Sequence, residues 1–285
     1  MYLTDSHPSE GSSLPYEPGY NNVGTVVETG EAVDDDAVGQ RVATYAPHQR
    51  YATASYEDGC YPVPTDVDDE AAAFFTIAEI VMNGVRRGEV DYGQAVGVYG
   101  LGLLGQLTVR VAHFAGAHPV VGFDLEADRL AYLPSSPGVV GSNPATEGWR
   151  DRVEAVTDGR LADVVFEVTG NPAAIPDEFD VLREQGRFVV LGSPRGSSEF
   201  DFNRACHNPG YTIVGAHNGT HPSSATAANP WTRGRHVELF FELLSAGRLS
   251  VSDLVSHRVP YGDAPDLYDR LLADRSQALG VLLEW

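Results

Sequence analysis

The chain has 285 residues, 42% of them hydrophobic, and a net charge of −21 from 40 acidic and 19 basic side chains. No apolar run reaches the roughly 18 residues of a membrane span, and no basic stripe marks a nucleic-acid surface. Two cysteines, Cys60 and Cys206, with no C-x-x-C between them, exclude a disulfide framework and a Cys-rich zinc site. Every basic residue is Arg, and the acid is spread along the chain rather than gathered in a tail. Such a surface stays soluble where salt screens its self-repulsion, so a halophilic source is expected. An acidic protein from a GC-rich gene has the same balance. The opening residues, "MYLTDSHPSEG", lack the basic start and apolar core of a signal peptide, which leaves the cytoplasm as the expected compartment.

Along the chain, residues 22–64 read as short β segments, "NVGTVVETG", "QRVATYAP", "RYATAS" and "CYPVP", separated by turns, as in a small barrel or irregular sheet. Residues 68–89, "DDEAAAFFTIAEIVMNGVRRGE", read as a helix that Asp68 or Asp69 caps. From about residue 94 strands alternate with helices, which predicts a parallel sheet. Its strands are "AVGVYG", "PVVGFD", "ADVVFEVTG", "RFVVLGSP" and "YTIVGAH". One helix is expected over 146–158, with Trp149, Val153 and Val156 on one face, and another over 234–246. The C-terminal stretch reads strand, helix, strand.

The stretch "YGLGLLGQ" holds Gly100, Gly102 and Gly105 in G-x-G-x-x-G spacing. Alone this is weak. It follows an apolar strand, however, and opens a helix with Leu104, Leu107, Val111 and Phe114 on one face. A second strand then ends in Asp124, 19 residues after Gly105. Each part has a physical task in dinucleotide binding. Gly100 permits the turn, Gly102 lets a pyrophosphate approach the backbone, and Gly105 allows close helix–strand packing. The amides of Leu101, Leu103 and Leu104 lie at a helix N-terminus, where free N–H groups and the helix dipole attract phosphate. Asp124 is placed to bond ribose hydroxyls and to repel a 2′-phosphate, so NAD is expected before NADP, with Arg129 nearby. Val168, Thr169 and Gly170, and likewise Leu191, Gly192 and Ser193, close later strands and are candidates for the ribose and nicotinamide end. Both segments also read as plain strand-to-loop turns.

The order of these segments, with "DDEAAAFF…NGVRRGEVDYGQAVGVYGLGLLG", "FDLEADRL", "DVVFEVTGNP", "GRFVVLGSPRG" and "LVSHRVPYGDAPDLYDRLL", resembles the medium-chain dehydrogenase/reductase superfamily, the zinc-type alcohol, polyol and threonine dehydrogenases. The resemblance runs from about residue 15 to the end. It implies an α/β chain: a Rossmann doubly wound parallel sheet over 81–225, and a partial GroES-like β-rich catalytic domain split between 1–80 and 226–285. It also implies a homodimer or homotetramer acting on a small molecule, with no nucleic-acid or membrane partner. The chain enters the family pattern partway through the first domain, which is expected to reflect a displaced start.

Departures from the family bear on the chemistry. Zinc members carry Gly-His-Glu where this chain has Gly19, Tyr20 and Asn21, and many place a Glu ligand where alignment puts Thr76. Neither the family's first Cys ligand nor its four-Cys lobe is present, so catalytic zinc is not expected. The "PGY" form resembles a zinc-lacking branch that includes bacteriochlorophyllide dehydrogenase-like proteins. The expected function is hydride transfer between NAD(H) and an alcohol or carbonyl carbon. A quinone or enone reductase, and a dinucleotide-binding protein without catalysis, are the alternatives. Without a metal the substrate oxygen needs a hydrogen-bond donor. Tyr20 is the first candidate, with Asn21 and Thr76 as neutral assistants, and Tyr20 equally reads as crevice packing. Glu79, in an apolar helix, reads as a base with a raised pKa, as a paired carboxylate, or as one on a solvated face. His48 reads as a proton relay or a surface residue. His207, His217 and His221 raise a metal reading, but the four-residue spacing of His217 and His221 suits a metal only on a helix, and Asn218-Gly219 and Pro222 favour a loop there instead.

Overall fold

The computed structural model describes residues 17–57 and 59–285. The stretch "MYLTDSHPSEG", on which the reading of a displaced start rests, lies outside the described residues. The chain divides into two compact units. One is Ile77–Arg233. The other joins the segment ending at Thr76 to Gly234–Trp285.

The discontinuous unit opens with an antiparallel sheet of three short strands in the order β1 (Asn22–Thr25), β2 (Arg41–Thr44) and β3 (Cys60–Pro62). The expected strand at "RYATAS" is loop, because Tyr51–Ser55 are exposed and find no neighbouring strand. The expected helix over 68–89 is two helices, α1 (Asp69–Ala72) and α2 (Phe75–Arg87), with a turn at Ala73 and Phe74. Asp68 is the cap, its carboxylate accepting the Ala71 N–H at 2.6 Å. Tyr45, Tyr61 and Phe75 form an aromatic cluster with ring centroids 5.1 to 6.0 Å apart. The C-terminal segment adds α7 (Arg233–Ser245), β10 (Val255–Pro260), α8 (Ala264–Ala273) and β11 (Gly280–Glu284), with β10 and β11 parallel. Helix α7 buries His236, Val237, Phe240 and Phe241. Arg258 grips Glu70 with two bonds of 2.5 and 2.6 Å, which holds the Glu70 carboxyl below its ordinary range.

The Ile77–Arg233 unit is built on β4 (Val96–Tyr99), α3 (Leu103–Phe114), β5 (Val120–Phe123), α4 (Ala127–Ala131), β6 (Val139–Ser142), α5 (Trp149–Val156), β7 (Ala162–Glu167), α6 (Ile175–Glu178), β8 (Leu182–Val190) and β9 (Thr212–Gly215). All six strands are parallel, in the order β6-β5-β4-β7-β8-β9. This is the doubly wound order, reversing between β4 and β7, where such folds bind ligands. The central strands are buried along their whole length, "VGVY" and "VVGF" alike, as a parallel sheet covered on both faces requires. Tyr99 stacks on Phe123 at 4.2 Å, and Trp149 meets Phe123 edge-on. Of the expected apolar face of α3, Leu107 and Val111 are buried, but Phe114 at the last turn is exposed. No helix among the described residues is long and apolar enough to cross a membrane.

Candidate active site

The glycine motif sits where β4 turns into α3. Gly100 takes φ +90°, a left-handed conformation that a side chain resists, and a Cβ there would stand 2.8 Å from the Thr169 amide nitrogen. Gly105 faces the Gly100 carbonyl so closely that a methyl group would overlap the oxygen. Gly102 is the N-cap of α3, has open space where a Cβ would point, and supplies no side-chain cap. The free amides of the first turn, Leu103 and Leu104 included, therefore present donors toward whatever enters that space.

The loop is held from below. Leu101 is fully buried, and its N–H donates to Asp124 Oδ2 at 2.7 Å. The other Asp124 oxygen accepts the Glu126 N–H at 2.9 Å. Gln106, also fully buried, donates to the Leu101 carbonyl at 3.3 Å and to the Arg129 carbonyl at 2.6 Å. So Asp124 bonds the glycine loop, and the Arg129 carbonyl bonds Gln106 of α3. Val168–Gly170 and Leu191–Ser193 leave the carboxyl ends of β7 and β8 at the same edge. The fourteen residues named for a cofactor thus come together along β5, β4, β7 and β8.

Two buried carboxyl groups at this edge escaped the sequence reading. Glu167 ends β7 fully buried, and its Oε1 accepts the Thr169 hydroxyl and the Gly170 N–H, both at 2.7 Å. A Cβ on Gly192 would stand 2.8 Å from Glu167 Oε2, which explains that glycine. Glu178, on α6, is also buried. Its carboxyl is pushed up to about 9 by burial and then by the Glu167 and Asp177 charges. Burial and the Glu178 charge likewise raise the Tyr99 phenol. The signal for Glu167 was an acid closing the apolar run "ADVVFE", whereas nothing local marks Glu178.

The sign of the Glu178 shift gives a prediction. The folded chain keeps a proton that the unfolded chain releases near the ordinary value of 4.5. This stabilisation is complete below that value and is lost as pH rises toward about 9. Stability is expected to fall by up to about 1.4 kcal/mol per pH unit in that window. Glu178→Gln should flatten the fall. Urea denaturation across the window checks it, and equal slopes in the two proteins would remove Glu178 as the cause.

In the discontinuous unit, Tyr20 is 50% exposed. Thr76 is buried, and its hydroxyl reaches the Tyr20 carbonyl at 3.3 Å, a long bond that steadies the backbone there. Asn21 Oδ1 is buried with no hydrogen-bond partner. His48 is half-buried rather than on the surface, its Nδ1 2.9 Å from the Tyr268 hydroxyl, and burial lowers its pKa. In the other unit Glu79 is fully buried. His217 and His221 flank a 3-10 turn, as the loop reading expects.

A sequence model described as zinc-binding dehydrogenase matches residues 104–232. The chain is 28% identical over 251 residues to D-guloside 3-dehydrogenase of Escherichia coli strain K12, covering 86% of this chain and 71% of that one. A short chain alcohol dehydrogenase from Escherichia coli CFT073, complexed with NADH, superimposes with a TM-score of 0.76 at 17% identity, over 94% of this chain and 83% of that one. A putative zinc-binding dehydrogenase from Sinorhizobium meliloti 1021, bound to NADP, gives 0.76 at 21% identity, over 95% and 84%. The two solved structures share the fold.

Proposed function

From the premise that this chain belongs to the zinc-type medium-chain dehydrogenase/reductase superfamily, we propose that it is an NAD(H)-dependent oxidoreductase acting on the CH–OH group of a small polyhydroxylated substrate. The observation that carries this is the glycine loop at the sheet's switch point, its first helical turn uncapped and its Leu101 amide fixed by Asp124. The residues fit a dinucleotide: Gly102 leaves room that a Cβ would fill, at the uncapped N-terminus of α3. A bound nicotinamide dinucleotide supplies the hydride chemistry. The chain's own part is to bind and orient it. The α3 amides receive the pyrophosphate, Asp124 accepts from the ribose hydroxyls, and Glu167 holds the Thr169–Gly170 turn.

A resident zinc ion does not fit the described donors. Among the described residues no three His, Cys, Asp or Glu side chains gather into a ligand set. Tyr20, Asn21 and Thr76 offer neutral groups that zinc sites do not favour. In the direction of carbonyl reduction, Tyr20 instead donates a hydrogen bond to the carbonyl oxygen, which takes its proton from water as hydride reaches the carbon and returns it to water on oxidation, and Thr76 steadies the backbone that carries Tyr20. Tyr20→Phe is expected to lower kcat by about tenfold to a hundredfold with NADH affinity unchanged. Unaltered turnover would leave Tyr20 as packing alone.

The sugar dehydrogenase relative supports the substrate class. An assembly of two or four copies accords with β9, which ends the strand order with Thr212, Ile213 and Gly215 exposed, an edge open to another strand. The test is a titration with NADH and NADPH followed by intrinsic fluorescence, then a screen of sugars and polyols. Saturable NADH binding with oxidation of a polyol supports the proposal. Binding without turnover on any alcohol, but with turnover on enones or quinones, would replace it with a reductase of activated double bonds.

A further inference from the structure

Beyond β9 the chain makes a short turn, Asn218–Thr220, at the carboxyl end of the sheet's edge strand. The Thr220 N–H donates to the His217 carbonyl at 2.9 Å, and the Gly219 N–H to His217 Nδ1 at 3.0 Å. Two residues of α2 reach this turn. Asn83 donates to the Thr220 hydroxyl oxygen at 2.9 Å. Glu79, with no exposed surface, lies against His221, whose side chain is 3% exposed.

The protonation of this pair follows from its neighbours. His221 Nδ1 stands 2.8 Å from the Asn218 carbonyl, and a carbonyl only accepts, so Nδ1 carries hydrogen. His221 Nε2 stands 3.1 Å from Glu79 Oε2. A lone pair on Nε2 against an ionised carboxylate, both buried, would be repulsive, so one further proton belongs between them. The approach is oblique, and neither Glu79 oxygen completes a hydrogen bond of ordinary geometry. The Asn218 side chain also approaches the carboxyl. Among the described residues, Arg233 at the start of α7 also faces the pair, with Nε 3.7 Å from Glu79 Oε1. Burial pushes the Glu79 carboxyl up to about 8 against the Arg233 charge, and burial also lowers His221. Both directions put the proton on Glu79 at neutral pH.

We propose that Glu79 is a positioning residue for the reaction above: holding one proton against His221, it clasps the 217–221 turn to α2 at the ligand edge of the sheet, and alkaline loss of that proton releases the turn. The effect on turnover rests on the oxidoreductase reading, whereas the clasp does not. The test is hydrogen–deuterium exchange of the full chain from about pH 6 to about pH 10, with rates corrected for intrinsic pH dependence. The β5 amides serve as the internal reference. Protection of the Gly219 and Thr220 amides is expected to fall about tenfold across that range while β5 holds steady. Glu79→Gln keeps an N–H donor that does not titrate, so it should stay protected throughout, and Glu79→Leu should be unprotected at every pH. Flat protection in the wild-type chain, or the same alkaline loss in Glu79→Gln, overturns the clasp. Should Glu79→Leu fail to fold, Glu79→Gln decides alone. The alkaline limb of kcat/KM should likewise vanish in Glu79→Gln. A pH-flat kcat/KM beside a pH-dependent clasp overturns the positioning role, and a wild-type chain without dehydrogenase activity overturns the functional reading and that role while exchange still reads the clasp.

Discussion

Gly105→Ala is expected to abolish saturable NADH binding and to destabilise the Ile77–Arg233 unit. The added methyl would overlap the Gly100 carbonyl oxygen. The obstacle is backbone, which no rotamer change moves aside, and both residues lie at the junction of β4 and α3. Overpacking of this kind costs about 1–3 kcal/mol. Relief requires the helix to retreat from the strand, which carries the α3 amides out of register with the loop. Gly102→Ala is the informative partner. Nothing lies within 4 Å of a Cβ at that position, so the fold should melt as the parent does. The methyl would, however, occupy the approach to the free amides, and the Kd for NADH should rise at least about tenfold, or about 1.4 kcal/mol. Thermal unfolding and fluorescence titration of the two variants separate the effects. Ordinary NADH binding by Gly102→Ala would place the pyrophosphate elsewhere.

Substitution of Asp124 is expected to have two separable consequences, because its two oxygens already work in the protein. One accepts from Leu101 and the other from Glu126. Asp124→Ala removes the hold on the loop along with the charge, so NADH and NADPH should both bind more weakly. Asp124→Asn retains one acceptor oxygen for the Leu101 N–H, removes the negative charge, and gives up the bond from the Glu126 N–H, because an amide NH2 cannot accept. Its preference for NADH over NADPH should shrink by about ten- to a hundredfold, the worth of a hydrogen bond to a charged group. Unchanged selectivity in Asp124→Asn would take Asp124 out of cofactor discrimination while leaving its bond to Leu101 intact.

The Rossmann half was legible because its signals are local. Buried parallel strands announce themselves as apolar runs, and glycines, an acid and helix periodicity fall at set distances from them. Strand β6, "VVGS", passed unnoticed because four residues after a proline-rich turn carry no alternation. The break between α1 and α2 left no mark either, since "EAAAFF" contains neither glycine nor proline. The site's deeper layer was hidden for a different reason. Glu167 and Glu178 matter through a shared burial that only the fold creates. Thr76 meets the Tyr20 carbonyl across 56 residues, and Glu79 meets His221 between a helix and a loop at opposite ends of their unit. Hydrophobic periodicity reports which face of an element is buried, and it does not report what waits there.

The discontinuous unit also sets a timetable for synthesis. Its two pieces interlock: Arg258 grips Glu70, Ser245 bonds Asp66 at 3.1 Å, and His48 meets Tyr268. Between those pieces lies the whole of Ile77–Arg233. A ribosome adding about 5–20 residues per second leaves the first piece waiting about ten to thirty seconds for its partner. Through that interval Glu70, Asp66 and His48 lack the partners that the later piece brings them. The parallel-sheet unit can fold while they wait, so the nascent chain holds a finished nucleotide-binding fold beside an unfinished partner, which is the species a chaperone would meet.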